Sequence, residues 1–104
     1  KIVVVFQPHL YSRTKQHLEG FGSAFTEASS VMLLPIYPAR EADPGDINSQ
    51  MVVNEIQKKG KDAYLVSTFD EASARAQKLS RAGDIILTLG AGDTNKVADI
   101  LVRQ

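Results

Sequence analysis

Ile2-Val3-Val4-Val5-Phe6 is an unbroken apolar run, mostly β-branched, and it constrains the fold more than any other stretch. Side chains alternate across a strand, so a run with no polar position is buried on both faces. Strands of that kind belong mainly to parallel sheets covered by helices. Three more strands, at 31–36, 63–66 and 84–89, are separated by stretches with helical spacing. The element order reads β-α-β-loop-α-β-α-β-α, which implies parallel pairing and right-handed crossovers. The expected fold is therefore α/β: a three-layer, Rossmann-like domain with a mainly parallel sheet and its first strand placed centrally.

The intervening stretches supply the helices. Leu18, Phe21, Phe25 and Ala28 form one apolar stripe, predicting a helix from Ser12 to about Ala28 that packs on the sheet. Phe21 and Phe25 are read as packing residues, not as a ligand-stacking pair. A second helix is expected over 49–59, with Val52, Val53 and Ile56 inward and Gly60 as its stop. Thr68-Phe69-Asp70-Glu71 has the T-x-x-E form of a capping box and opens a third, to about Ser80. A last helix follows Gly90-Ala91-Gly92-Asp93-Thr94, with Val97, Ile100 and Leu101 inward. Pro35 cannot donate to a ladder, so the second strand frays there.

Composition narrows the function. Twelve Lys and Arg balance twelve Asp and Glu, which speaks against nucleic acid or an anionic membrane as partner. Lys58-Lys59-Gly60-Lys61 is read as a helix end, where cations are favoured. The chain has no cysteine, hence no disulfide framework and no thiolate metal site. His9 and His17 have no close carboxylate pattern, so no metal site is expected. No apolar run approaches the ~20 residues of a membrane span, and no signal peptide is visible, so a cytoplasmic setting is expected. Lys1 leads at once into a strand. Natural chains rarely begin inside a core element, and four strands make a narrow sheet. The expectation is a single domain over 1–104, cut from a larger protein and lacking its first strand and helix.

Three polar segments lie just after strands: 7–14, 37–46 and 90–94. In a parallel sheet these positions share one edge, where ligands bind. In the first, Arg13 offers a planar fork for a carboxylate or phosphate. His9 can donate to an anion or take up a proton, and Tyr11 adds a phenol. Ser12 and Thr14 are read first as helix caps. In the second, Tyr37, Arg40 and Glu41 are candidates, although solvated loop charge accounts for the latter pair equally well. In the third, Asp93 caps a helix behind two glycines. It is no dinucleotide fingerprint, because position 95 is Asn, and the chain has no P-loop. There is no nucleophile elbow and no carboxylate cage, so the chain carries recognition groups without an engine.

Phe6-Gln7-Pro8-His9-Leu10-Tyr11-Ser12-Arg13-Thr14, Ile36-Tyr37-Pro38-Ala39-Arg40-Glu41 and Leu89-Gly90-Ala91-Gly92-Asp93 together resemble the C-terminal domain of the Mur ligases. The motifs stand in the family's order and the resemblance covers essentially the whole chain. It implies a C-terminal amino-acid-binding lid of a three-domain, ATP-dependent amide-forming ligase of peptidoglycan synthesis. The first motif is that of the member joining L-alanine to UDP-N-acetylmuramate through an acyl phosphate. ATP and Mg are then bound mainly by a central domain outside this chain, and the isolated chain is expected to be inactive. By position, the resemblance places His9, Tyr11 and Arg13 at the amino-acid and acyl-phosphate site, with Arg40, Glu41 and Asp93 bordering the interdomain cleft. No residue here is assigned a catalytic role. Many relatives carry arginine where this chain has Leu10, which removes one possible anion contact. Two other readings stay open: a recycling ligase attaching a peptide to muramate, and a free-standing α/β module binding a small anion or nucleotide.

Overall fold

The computed structural model describes residues 2–90. The readings for Gly92, Asp93 and the last helix lie outside the described residues. Four strands, β1 (Ile2–Gln7), β2 (Ser30–Leu33), β3 (Asp62–Leu65) and β4 (Ile85–Gly90), form one sheet in the order β3-β2-β1-β4. All three pairings are parallel, with Val4 facing Val31 on one side and Leu87 on the other. Thus β1 is central, as its unbroken apolar run requires. The chain builds outward from β1 through β2 to β3, then crosses back to place β4 on the opposite side of β1. That reversal opens a crevice at the C-terminal ends of β1 and β4.

Helices α1 (Tyr11–Gln16), α2 (Leu18–Ala24), α3 (Ser49–Lys58) and α4 (Phe69–Leu79) complete the described fold. Alternate residues of the strands feed two cores. Val4, Val31, Leu33 and Ala63 pack with Phe25 of the α2 end and with Val52, Val53 and Ile56 of α3. Val3, Val5, Met32 and Leu34 pack on the other face with Ala72 and Ala76 of α4. The result is three layers. Val3, Val5, Val31, Met32 and Leu33 are each fully buried, and each contributes about 1.5–3 kcal/mol of transfer free energy. Among the described residues no helix is long and apolar enough to cross a membrane.

One expectation is corrected. The helix predicted from Ser12 to Ala28 is two helices, divided at His17, where φ is −109° and ψ 17°. Its first capping position is Leu10, so Ser12 lies inside the first turn and is not the cap. The break re-aims α2 so that Phe21 and Phe25 meet Phe6 at ring-centroid distances of 5.3 and 5.5 Å. Aromatic packing on the sheet outweighs one continuous helix, because tertiary burial dominates helix stability. Elsewhere the differences are small. The second strand stops at Leu33, just before Pro35. Gly60 sits at φ 79° behind α3, as a helix stop requires. Thr68 Oγ1 accepts from the Glu71 N–H at 3.0 Å. The return arm of this cap reaches one residue further than the usual box: Glu71 accepts from the Ser67 N–H at 2.7 Å.

Helices α2 and α3 approach closely at Gly22. A Cβ there would lie 2.8 Å from the Glu55 carbonyl oxygen, a backbone atom that cannot swing away. Gly22→Ala is therefore expected to destabilise by about 1–3 kcal/mol, the usual range for overpacking. Thermal denaturation checks this, and an unchanged melting temperature would show that the helices separate freely.

Candidate functional site

The sequence brings polar groups out of β1 at Gln7 and out of β2 at Pro35, and the two segments run side by side beyond the sheet. Gln7 Nε2 donates to the Pro35 carbonyl at 3.1 Å. The Tyr37 N–H donates to Pro8 O and the Leu10 N–H to Tyr37 O, both at 2.8 Å. Ser12 then meets Glu41 twice: its N–H donates to Oε1 at 3.1 Å and its hydroxyl to Oε2 at 2.5 Å. Lys15 pairs with Asp46 at the far end. This is a ladder of side-chain and backbone rungs that extends the β1–β2 pairing past the sheet edge.

The ladder holds backbone that would not otherwise persist. Leu10 takes φ 68° and ψ 139°, and Ala39 takes φ 53°. Non-glycine residues in sparsely populated regions cost about 1–3 kcal/mol each and survive only where neighbours over-determine them. At Leu10 those neighbours are its own N–H bond to Tyr37 and its carbonyl, which accepts from the Thr14 N–H at 3.1 Å and from Thr14 Oγ1 at 2.7 Å. At Ala39 the turn is closed by the Glu41 N–H donating to Pro38 O at 2.9 Å.

On one side of this ladder lies the crevice at the β1 and β4 ends. A cavity of ≈ 240 Å³ there is lined by Phe6, Gln7, His9, Arg13, His17, Phe21 and Gly90. Two imidazoles and a guanidinium thus share an opening whose floor is aromatic. Arg13 and His17 are four residues apart in the chain and meet across the α1–α2 junction. The His9 ring stacks on Tyr37, with centroids 5.8 Å apart and planes 28° apart. Such a site can hold an anion against the Arg13 guanidinium and an imidazole N–H while the rings shelter an apolar group.

The other sequence candidates are distributed differently. Tyr11 faces a separate cavity of ≈ 430 Å³ with Ile36, Ile47, Leu65 and Ser67. Arg40 is exposed at the turn closed by Pro38 and Glu41. Both oxygens of Glu41 are engaged by Ser12. The Ser12 hydroxyl, then the Ser12 N–H, hold the Glu41 carboxyl below its ordinary pKa. A carboxylate so depressed keeps its bonds at neutral pH and yields them only as pH falls below the usual carboxylate range. Lys15 lowers Asp46 in the same sense. Asp93 lies outside the described residues. Among the described residues, no three His, Asp or Glu side chains gather as metal ligands.

Two contributors were absent from the sequence candidates. His17 carried no signal except its i+4 spacing from Arg13. Gln7, buried at the strand end, had only its position.

Comparison with known proteins gives one picture. The family described as Mur ligase, glutamate ligase domain, matches residues 1–92. The UDP-N-acetylmuramate–L-alanine ligase of Lachnoclostridium phytofermentans is 41% identical over 100 residues, covering 96% of this chain and 21% of that protein. The enzyme of the same name from Alkaliphilus metalliredigens is 43% identical over 104 residues, covering 100% of this chain and 22% of its own length. The crystal structure of the UDP-N-acetylmuramate–alanine ligase of Thermotoga maritima superposes with a TM-score of 0.68 at 28% identity, covering 99% of this chain and 20% of that one. The chain thus spans about a fifth of the length of the curated relatives it matches.

Proposed function

The chain belongs to the Mur ligases, as a glutamate ligase domain of that family, and from this we propose that it is the C-terminal domain of a ligase joining L-alanine to UDP-N-acetylmuramate. The observation that carries this reading is the meeting of His9, Arg13 and His17 at the cavity where the sheet order reverses. Arg13 supports it by its chemistry: a planar fork grips a carboxylate or phosphate with two parallel bonds. His9, stacked on Tyr37, donates a hydrogen bond to the same anion. The aromatic floor of Phe6 and Phe21 excludes water from one side of the bound group. The chain's part is to bind and orient the amino acid, and to lower the cost of charge that develops as its amine attacks an activated carboxyl.

ATP with Mg supplies the activation of that carboxyl when bound. On this reading both are held mainly by a part of the ligase outside this chain. The absence of a P-loop in the sequence supports that division. A nucleotide-sugar substrate and ATP agree with a cytoplasmic setting.

The test is ADP release by the full-length protein with Mg-ATP and UDP-N-acetylmuramate, adding L-alanine or the stem tripeptide separately. Release that depends on alanine, with the coupled product seen by mass, is the expected result. Release with the tripeptide alone would move the protein to a recycling ligase. Release with neither would sink the ligase reading and favour a binding module for a small anion or nucleotide.

A further inference from the structure

We propose that Glu41 is a positioning residue for Arg13, acting through Ser12. The proposal deepens the ligase reading and rests on it for its kinetic part. Leu10 stands at the N-cap of α1 and no side-chain hydrogen bond from it caps the helix. The first-turn N–H of Ser12 is satisfied from another part of the chain, by Glu41 Oε1 at 3.1 Å, and the Ser12 hydroxyl adds a second bond to Oε2 at 2.5 Å. A carboxylate at a helix start supplies both an acceptor and a favourable charge. Arg13 is the next residue, so whatever fixes Ser12 fixes the origin of the Arg13 side chain.

The alternative role, in which Glu41 touches the substrate, fits this geometry poorly. Both of its oxygens are directed at Ser12. Glu41 lines the cavity with Tyr11, Ser12, Lys15 and Asp46, whereas Arg13 lines the one with His9 and His17. Helix α1 lines both, with different residues facing each. The hydrogen bonds of the carboxylate therefore reach the site through Ser12, and its charge acts on His9 as a smaller effect. The Leu10 backbone is held separately, by its bonds to Tyr37 and Thr14, so the Glu41 contact is what fixes the Ser12 end of the first turn.

The experiment uses the full-length ligase with Glu41→Ala, Ser12→Ala, the double variant and Glu41→Gln. Glutamine discriminates because its amide oxygen can accept from the Ser12 N–H while its NH₂ donates to a rotated Ser12 hydroxyl. Glu41→Ala is expected to lower kcat/KM for alanine by about tenfold or more, read well below the melting temperature. Glu41→Gln should recover to within roughly threefold of the parent. The double variant should be no worse than Glu41→Ala, since both substitutions break one link. Loss of melting temperature with unchanged kinetics would make the pair merely structural and overturn the proposal. Equal impairment by alanine and glutamine would mean that the charge itself meets substrate, which also overturns it. Hydrogen exchange at the Ser12 amide reads the clamp without any ligase chemistry. It should quicken about tenfold in Glu41→Ala and stay slow in Glu41→Gln. Unchanged exchange would overturn the clamp whatever reaction the protein catalyses. An inactive parent with quickened exchange would leave the clamp standing and count against the ligase reading alone.

Discussion

Arg13→Ala in the full-length protein is expected, on the proposed alanine-ligase function, to lower kcat/KM for L-alanine by about 10²–10³-fold, the scale of losing one preorganised charge-stabilising donor. Arg13 is exposed on α1 and takes no part in either core. Substitutions at such positions usually change stability by no more than about 0.5 kcal/mol. The melting temperature should therefore stay near that of the parent while the activity falls. Arg13→Lys is the sharper companion. It keeps the charge and discards the planar fork, so it should recover only part of the loss if the anion is gripped bidentately. Steady-state kinetics with alanine varied, alongside thermal denaturation, separate these outcomes. Normal turnover by Arg13→Ala would remove Arg13 from the site, and the cavity's assignment would then fall to His9 and His17.

Gly90→Ala is expected to be the most damaging small substitution at the sheet edge. Gly90 pairs with Gln7 at the end of β4, at φ 121°. A Cβ there would lie 2.2 Å from the Gln7 carbonyl oxygen and 3.1 Å from its carbonyl carbon. Both are backbone atoms of the central strand, so relief requires opening the β1–β4 pair. The backbone angle alone costs about 1–3 kcal/mol, and the contact adds to it. A total above about 3 kcal/mol is a large part of an ordinary domain's stability. Because Gly90 also lines the cavity with His9 and Arg13, the opening should distort the site as well. Hydrogen exchange at the β1 amides and the KM for alanine should both rise in the full-length protein. Protected β1 amides in Gly90→Ala would show that the strands tolerate a side chain there.

The layered α/β architecture was legible because it rests on local rules. An apolar run without polar positions has to be covered on both faces, and Val3, Val4 and Val5 are. Leu18, Phe21, Phe25 and Ala28 all pack at the core, although α2 ends at Ala24, before the last two. Pro35, Gly60 and Thr68 each act where their backbone chemistry dictates. The site was legible in part, since parallel strands bring the segments after them to one edge whatever the details. His9 and Arg13 follow from that rule alone. His17 does not, because it follows the strand end by ten residues and had only its i+4 spacing from Arg13 to connect it with the cavity. Nor does the engagement of Glu41 by Ser12, which depends on how far two loops travel beyond the sheet.

By itself the sequence determined which stretches are strands and helices, which faces they bury, and which sheet edge gathers the polar groups. These follow from the pleat, the helical turn and the backbone limits of proline and glycine, all of which act between near neighbours in the chain. Tertiary structure alone decided the ladder from Gln7–Pro35 to Lys15–Asp46, the division of one helix at His17, and the contact that leaves no room for a Cβ at Gly90. Each of those depends on the register between segments remote in sequence. Register is set by the fit of both cores at once, and no local pattern encodes it.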